Sequence, residues 1–338
     1  MRRYPGLVAG LALALAAGAA HAASAVPPVP ARLAELQTLD ARVQSVGWRL
    51  ARGNARFCRD AAPSVGLLLQ DLAGYADPGP IRAALHAKSD IAVEAVAAGS
   101  PAARAPLRPN DALEAVAGQA VAALPVVKPG DYARLAAIHD RIDAALRADG
   151  RIEVVRDGRT LTLVGEPACV TRFEMLTSGS RASADGHRVV IGRKLVEMFP
   201  EDELLAAALA HELAHNLLGH RARLDASGRA WSKVKATERQ ADRLSVWLLA
   251  NAGYAPDAAL RFFERWGPAT DLGLFTEPSH DRWKTRVTRI ASEIAALRAA
   301  MAKDAHGDAD WPRSFKPTEP AAPVALGTAP QVDDVAEN

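Results

Sequence analysis

Residues 203–220 read Glu-Leu-Leu-Ala-Ala-Ala-Leu-Ala-His-Glu-Leu-Ala-His-Asn-Leu-Leu-Gly-His. Alanine and leucine fill the stretch on every side, so it reads as one buried helix. His211 and His215, four residues apart, stand one turn apart on the same face, offset by about 40°. That spacing lets both imidazoles reach one metal ion, with Glu212 flanking the same site. Two histidines and a glutamate so arranged suit a bound zinc ion with Glu212 as general base for hydrolysis. A pentapeptide can arise by chance, so the surroundings have to supply the rest of the site.

A catalytic zinc takes three protein ligands and leaves a position for water. One solution needs glycine three and histidine six residues after the second histidine; Leu218 and Arg221 stand there and exclude it. His220 lies about 180° from His211 on a continuous helical wheel. It reads as a helix-end histidine near the negative pole of the dipole. Glu238 is the better third ligand, on a helix of its own in Glu-Arg-Gln-Ala-Asp (238–242). Asp242 follows at i+4 on the same face and can orient a ligand histidine through its free ring nitrogen. The plain alternative is a solvated face on which Glu238 sits beside Arg239 and Arg243.

The chain has 338 residues, enough for two modest domains. It begins with a charged Arg2-Arg3, an apolar run from Leu7 to Ala20, and Ala20-His21-Ala22 as a cleavage site. Residues 1–22 therefore read as a secretory signal, too short in its apolar part for a membrane anchor. Of 41 basic and 39 acidic residues, two basic ones lie in that signal, so the mature chain is neutral. Neutrality gives no basis for a nucleic acid or an anionic membrane as partner, and no later segment is apolar for long enough to span a bilayer. The two cysteines, Cys58 and Cys169, suggest a disulfide in an exported protein; two free buried thiols are the alternative.

Leu33, Leu36, Leu39, Val43, Val46 and Leu50 recur at helical steps and predict an N-terminal helix within 31–60. A different rhythm follows: strands at 65–69 and 91–96, a turn and short helix after Gly99-Ser100-Pro101, a helix over 131–148, and a hairpin about Asp157-Gly158. That order, and the string Gly-Ser-Pro-Ala-Ala-Arg-Ala-Pro-Leu-Arg-Pro-Asn-Asp (99–111), resembles the PDZ domains of bacterial periplasmic proteases over about 64–165. The resemblance implies a loop that holds a peptide carboxylate through backbone amides, here placed at Gly66, Leu67, Leu68 and Leu69. It departs at Pro106 and Asn110, where that family has glycine. A degenerate module that only braces an enzyme is the other reading. A Cys58–Cys169 bridge would clip the base of such an insertion.

From 170 to 303 the chain carries a hairpin about Asp185-Gly186, a short helix at 194–199, the motif helix, and helices over 234–251, 256–266 and 282–301. Residues 304–338 lack periodicity and read as a disordered tail. Ala-Asp-Gly (184–186), the motif at 211–220, Glu-Arg-Gln-Ala-Asp (238–242) and Ser-His (279–280) with Arg286 together resemble the HtpX/BepA/Oma-type gluzincin metallopeptidases over about 170–300. The resemblance implies one zinc ion held by His211, His215 and Glu238, with Glu212 as base. It also implies an active-site edge strand near Arg181 to Ala184 that receives the substrate chain. His280 matches a histidine that can face the metal, and Arg286 an arginine six residues beyond it; Asp281 stands where the family has proline. The expected fold is α+β: a mainly helical zincin-type catalytic domain with a small active-site sheet, plus a PDZ-like β/α module. The expected function is an exported zinc endopeptidase of envelope proteins, periplasmic or secreted, with peptides recruited through the PDZ-like groove. A chaperone or adaptor with weak or gated proteolysis is the alternative.

Overall fold

The structure, a computed structural model, describes residues 29–125, 128–270 and 281–315. The expected signal at 1–22, His280 and the chain beyond 315 lie outside the described residues. The fold is α+β, mostly helical, with small sheets.

Helix α1 (Val29–Gly53) is the spine on which the rest is assembled. Val43, Val46, Trp48 and Leu50 are buried against the C-terminal half, as their helical spacing predicts. The same helix also buries a polar stripe, Gln37, Asp40 and Gln44. Gln37 exchanges hydrogen bonds with Asn110, and Gln44 donates to the carbonyl of Phe173. Gly47 lets the Phe173 ring lie against the helix; a Cβ there would sit 2.3 Å from it.

After α1 the chain leaves for an inserted β/α unit with its own core, built on Leu69, Ile91, Val93, Leu113, Ile138, Ile142, Leu146, Ile152 and Leu163. Its elements are β1 (Ala62–Ser64), β2 (Leu67–Asp71), α2 (Pro78–Ala84), β3 (Ile91–Val96), α3 (Pro101–Arg104), β4 (Ala115–Val116), β5 (Gln119–Ala120), α4 (Ala133–Asp149), β6 (Arg151–Arg156), β7 (Arg159–Val164) and β8 (Glu166–Ala168). β2 pairs antiparallel with β3, and a second sheet runs β5-β4-β6-β7. β1 and β8, the first and last strands, pair with Ala62 opposite Ala168. Beside them Cys58 is disulfide-bonded to Cys169, Cα atoms 5.5 Å apart, so the unit is closed at its base. Asn110 takes the left-handed conformation (φ 71°) that glycine would favour there, and its side chain also reaches Gln37 and Gln70.

The expected carboxylate-holding stretch, Gly66 to Leu69, covers the start of β2 and the residue before it. Gly66, Leu68 and Leu69 are buried and Leu67 is half-buried. The Gly66 carbonyl already accepts from Ala97 N, and a Cβ on Gly66 would meet that of Ser100 at 2.4 Å. A cavity of about 50 Å³ lies beside it, walled by Gln44, Trp48, Arg172 and Phe173.

The C-terminal half begins with β9 (Arg172–Leu176), β10 (Ala182–Ala184) and β11 (Arg188–Gly192), which form a sheet in the order β10-β11-β9. β10 and β11 are the hairpin predicted about Asp185-Gly186. Next come α5 (Arg193–Met198), α6 (Asp202–Leu217), α7 (His220–Ser227), α8 (Trp231–Asn251), α9 (Ala258–Thr270), α10 (Trp283–Met301) and α11 (Trp311–Ser314). α6 is central: residues 204–210 are all buried, and α1, α8 and α9 pack around it. Its first turn carries Asp202 and Glu203, which suit the positive end of the helix. Residues 304–315, expected to lack structure, instead pack on the core. Ala309 and Phe315 are buried there, and Asn251 bonds both polar atoms of the Ala309 backbone. Among the described residues no helix is long and apolar enough to cross a membrane.

Candidate metal centre

α6 presents His211 and His215, and α8 brings Glu238 across to meet them. His211 Nε2 lies 3.2 Å from His215 Nε2 and 3.2 Å from Glu238 Oε2; His215 Nε2 lies 3.5 Å from Glu238 Oε1. A tetrahedral zinc with bonds of about 2.0–2.1 Å has ligand atoms about 3.3–3.4 Å apart. The three residues therefore fit such an ion, and among the described residues they are the one His/Cys/Asp/Glu group with this geometry.

The nearest charges are mostly acidic. Glu212 lines the cleft with Glu238, and Asp242 lies behind His211, paired with Arg286. Burial alone would strip the proton from His211, but Asp242 and Glu238 outweigh it and raise His211 to about 10. His215 goes the other way, to about 4, because burial is not overcome by Glu238. A site that draws a proton onto one imidazole in this manner has the charge demand that a dication satisfies.

Asp242, expected to orient a ligand histidine, faces His211: its Oδ1 lies 3.1 Å from His211 Nδ1, close enough for an ion pair though oblique for a hydrogen bond. Arg286 grips the same carboxylate with two bonds, Nε to Oδ2 at 2.9 Å and Nη2 to Oδ1 at 2.6 Å. It also lies 4.0 Å over the Phe263 ring. Burial would push the Asp242 carboxyl up, but Arg286 and His211 hold it below the usual carboxylate range.

His220 is not where a continuous helix would put it. α6 stops at Leu217, Gly219 adopts a left-handed conformation (φ 61°), and His220 opens α7 instead. The ring comes back, buried, to place Nδ1 2.9 Å from His215 Nδ1 and Nε2 3.0 Å from Gln240 Oε1. Asn216 was also missed. Its Oδ1 accepts from Gly186 N at 2.7 Å and its Nδ2 donates to the Arg188 carbonyl at 3.2 Å. These bonds tie the β10–β11 hairpin to the helix that carries the histidines.

The three candidate ligands and Glu212 line a cleft of about 890 Å³. Residues 180–184, including the outer strand β10, form one wall; Phe262, Phe263 and Trp266 form another. Asp281 stands at the rim and is bonded to Arg239 at 2.8 and 3.0 Å and to Arg289 at 2.8 Å. Those arginines hold its carboxyl far below the usual range. Asp281 is thus an anchor between α8 and α10. Arg239 faces this anchor, so the helix bearing Glu238 is not simply a solvated face.

Residues 179–234 match Peptidase family M48. The segment is a partial M48 peptidase domain. It runs from just before β10 through α6 and α7 into α8, and ends four residues short of Glu238. The third candidate ligand is therefore supplied by geometry rather than by the match. No curated protein matches the chain.

Proposed function

We propose that the chain is an exported zinc-dependent endopeptidase that cleaves extended segments of envelope proteins. One observation carries this reading: His211, His215 and Glu238 bring their ligand nitrogens and carboxylate within 3.2–3.5 Å of one another, in a cleft walled by β10, an edge strand among the described residues. Among the described residues β10 is the last strand of its sheet, so its outer edge can accept a peptide as an added strand. His211, His215 and Glu238 would hold the ion. When bound, zinc supplies Lewis acidity, polarising a carbonyl and bringing water toward deprotonation near neutral pH.

The protein's own side chains do the rest. Glu212, half-buried in the cleft, takes the proton of the attacking water on its carboxylate and passes it to the leaving amine. Asp242 and Arg286 keep the His211 ring oriented. His280, one residue from the anchored Asp281, is the proposed donor to the developing oxyanion. The base would serve no purpose in a purely structural metal site, which favours catalysis over a stabilising role. The disulfide supports an oxidising compartment such as the periplasm. The burial of residues 66–69 supports a bracing role for the inserted unit, with substrate entering at β10. Metal analysis of the signal-processed protein, with casein cleavage before and after chelation, tests the proposal. One zinc per chain and activity restored by zinc are expected; a metal-free protein of unchanged activity refutes it.

A further inference from the structure

The hydrogen bonds behind His215 have a direction, and that direction follows from three side chains outside the candidate ligand set. Arg223 Nη2 lies 3.3 Å from Gln240 Oε1, and His220 Nε2 lies 3.0 Å from the same atom. A guanidinium only donates, so the Gln240 atom facing it is the carbonyl oxygen, which only accepts. His220 Nε2 must then carry its hydrogen. A neutral imidazole has one N–H, so His220 Nδ1 is a bare lone pair. It lies 2.9 Å from His215 Nδ1, which must donate to it. His215 has then used its one hydrogen on the side away from the cluster. Its Nε2, 3.2 Å from His211 Nε2, is left as a lone pair.

We infer that Gln240, acting through His220, is a positioning residue of the metal centre that sets the tautomer of His215 for binding. This rests on the reading of His211, His215 and Glu238 as metal ligands. Were the Gln240 acceptor lost, His220 could place its hydrogen on Nδ1. His215 Nδ1 would then have to accept, and the His215 hydrogen would move to Nε2, where it blocks the metal. The two ligand histidines are therefore oriented by different chemistry: His211 by an anion, Asp242, and His215 by the neutral His220 ring, itself bonded to the Gln240 carbonyl oxygen. α8 serves both, because Asp242 and Gln240 lie on the helix that also carries Glu238. His220 does not itself join the cluster, since its Nδ1 faces the far nitrogen of the His215 ring.

The test uses the full signal-processed chain with its disulfide formed, and reads zinc affinity by chelator competition. Gln240→Leu is expected to weaken zinc binding about 10- to 100-fold, the usual effect of losing a partner behind a ligand histidine. Gln240→Glu keeps an acceptor facing His220 and should stay within about threefold of the parent. His220→Ala should cost as much as Gln240→Leu, and the double variant no more than His220→Ala alone, because the two act in one chain. Long-range ¹⁵N correlation spectra should show hydrogen on His215 Nδ1 and His220 Nε2 in the parent. Unchanged affinity in Gln240→Leu, multiplied losses in the double variant, or equal loss in Gln240→Glu and Gln240→Leu would overturn the inference. If His220→Ala does not fold, the two Gln240 variants and the spectra still decide. A parent protein whose zinc affinity is untouched by His215→Ala would instead overturn the ligand assignment.

Discussion

Replacing Arg286 by methionine probes the support of the centre without touching a candidate ligand. The Arg286 and Asp242 side chains are 5% and 1% exposed and share two hydrogen bonds. At an effective dielectric of about 20 and a charge separation of about 4 Å, their attraction is about 4 kcal/mol. Methionine keeps contact with the Phe263 ring but leaves the buried Asp242 carboxylate with His211 alone as its partner. Breaking a buried pair in this way costs about 3–5 kcal/mol.

The pH dependence follows from sign. Arg286 holds the Asp242 carboxyl low, so in the parent its contribution is present above pH 3.8 and lost as pH falls. In Arg286→Met only His211 offsets burial, so the carboxyl rises, and where it rises above its unfolded value stability is lost as pH rises instead. The difference between the two proteins should therefore grow from pH 5 to pH 8. Urea unfolding of chelator-treated protein at both pH values measures it. Adding Asp242→Asn should recover part of the loss, because the stranded charge is gone. A cost below about 1 kcal/mol at pH 8, or a double variant worse than Arg286→Met, would refute the burial argument.

Three other outcomes follow from features away from that pair. The Cys58–Cys169 bridge spans 111 residues, for which the chain-entropy model assigns about 5 kcal/mol. Cys58→Ser with Cys169→Ser should lose about 2–5 kcal/mol in urea unfolding, and intact mass after alkylation should change only with prior reduction. Burial raises Asp40 from 3.8 to about 6, and burial together with Asp40 holds the neighbouring Glu94 well above the usual carboxylate range. The stability tied to Asp40 is therefore full below pH 3.8 and lost as pH rises through about 6, up to about 3 kcal/mol. Asp40→Asn should stabilise the protein at pH 8 and not at pH 4, as read by denaturation midpoints. Asn216→Ala removes bonds to Gly186 and Arg188 and should cost about 1–3 kcal/mol. It should also raise KM more than it lowers kcat and speed amide exchange at Gly186; a purely kcat effect would detach the hairpin from substrate binding.

Helical periodicity made much of the centre legible. His211, His215 and the Glu238–Asp242 pair are related by four-residue steps, and each pair does share a face. His220 was misplaced because the wheel was carried through Gly219. A glycine after a leucine run is a helix stop signal, and it would have shown that the next residue belongs to another direction of chain. Gln240 had no signal at all, since an amide in a helix gains meaning only from what packs against it. The polar stripe of α1 was hidden beneath a convincing apolar one. The strand expected at 65–69 is present as β2, and its burial in the core of the inserted unit follows from its apolar run. Residues 304–315 show no period, yet Phe315 and Ala309 reach the core through single contacts that no pattern announces.

The central claim is that Glu212 works beside a metal held by His211, His215 and Glu238. It is tested most directly by comparing Glu212→Gln with the parent, measuring bound zinc and casein cleavage on the same samples. The account predicts one zinc per chain in both proteins and a loss of cleavage of about a hundredfold or more in the variant. Parent-like cleavage by Glu212→Gln would contradict it.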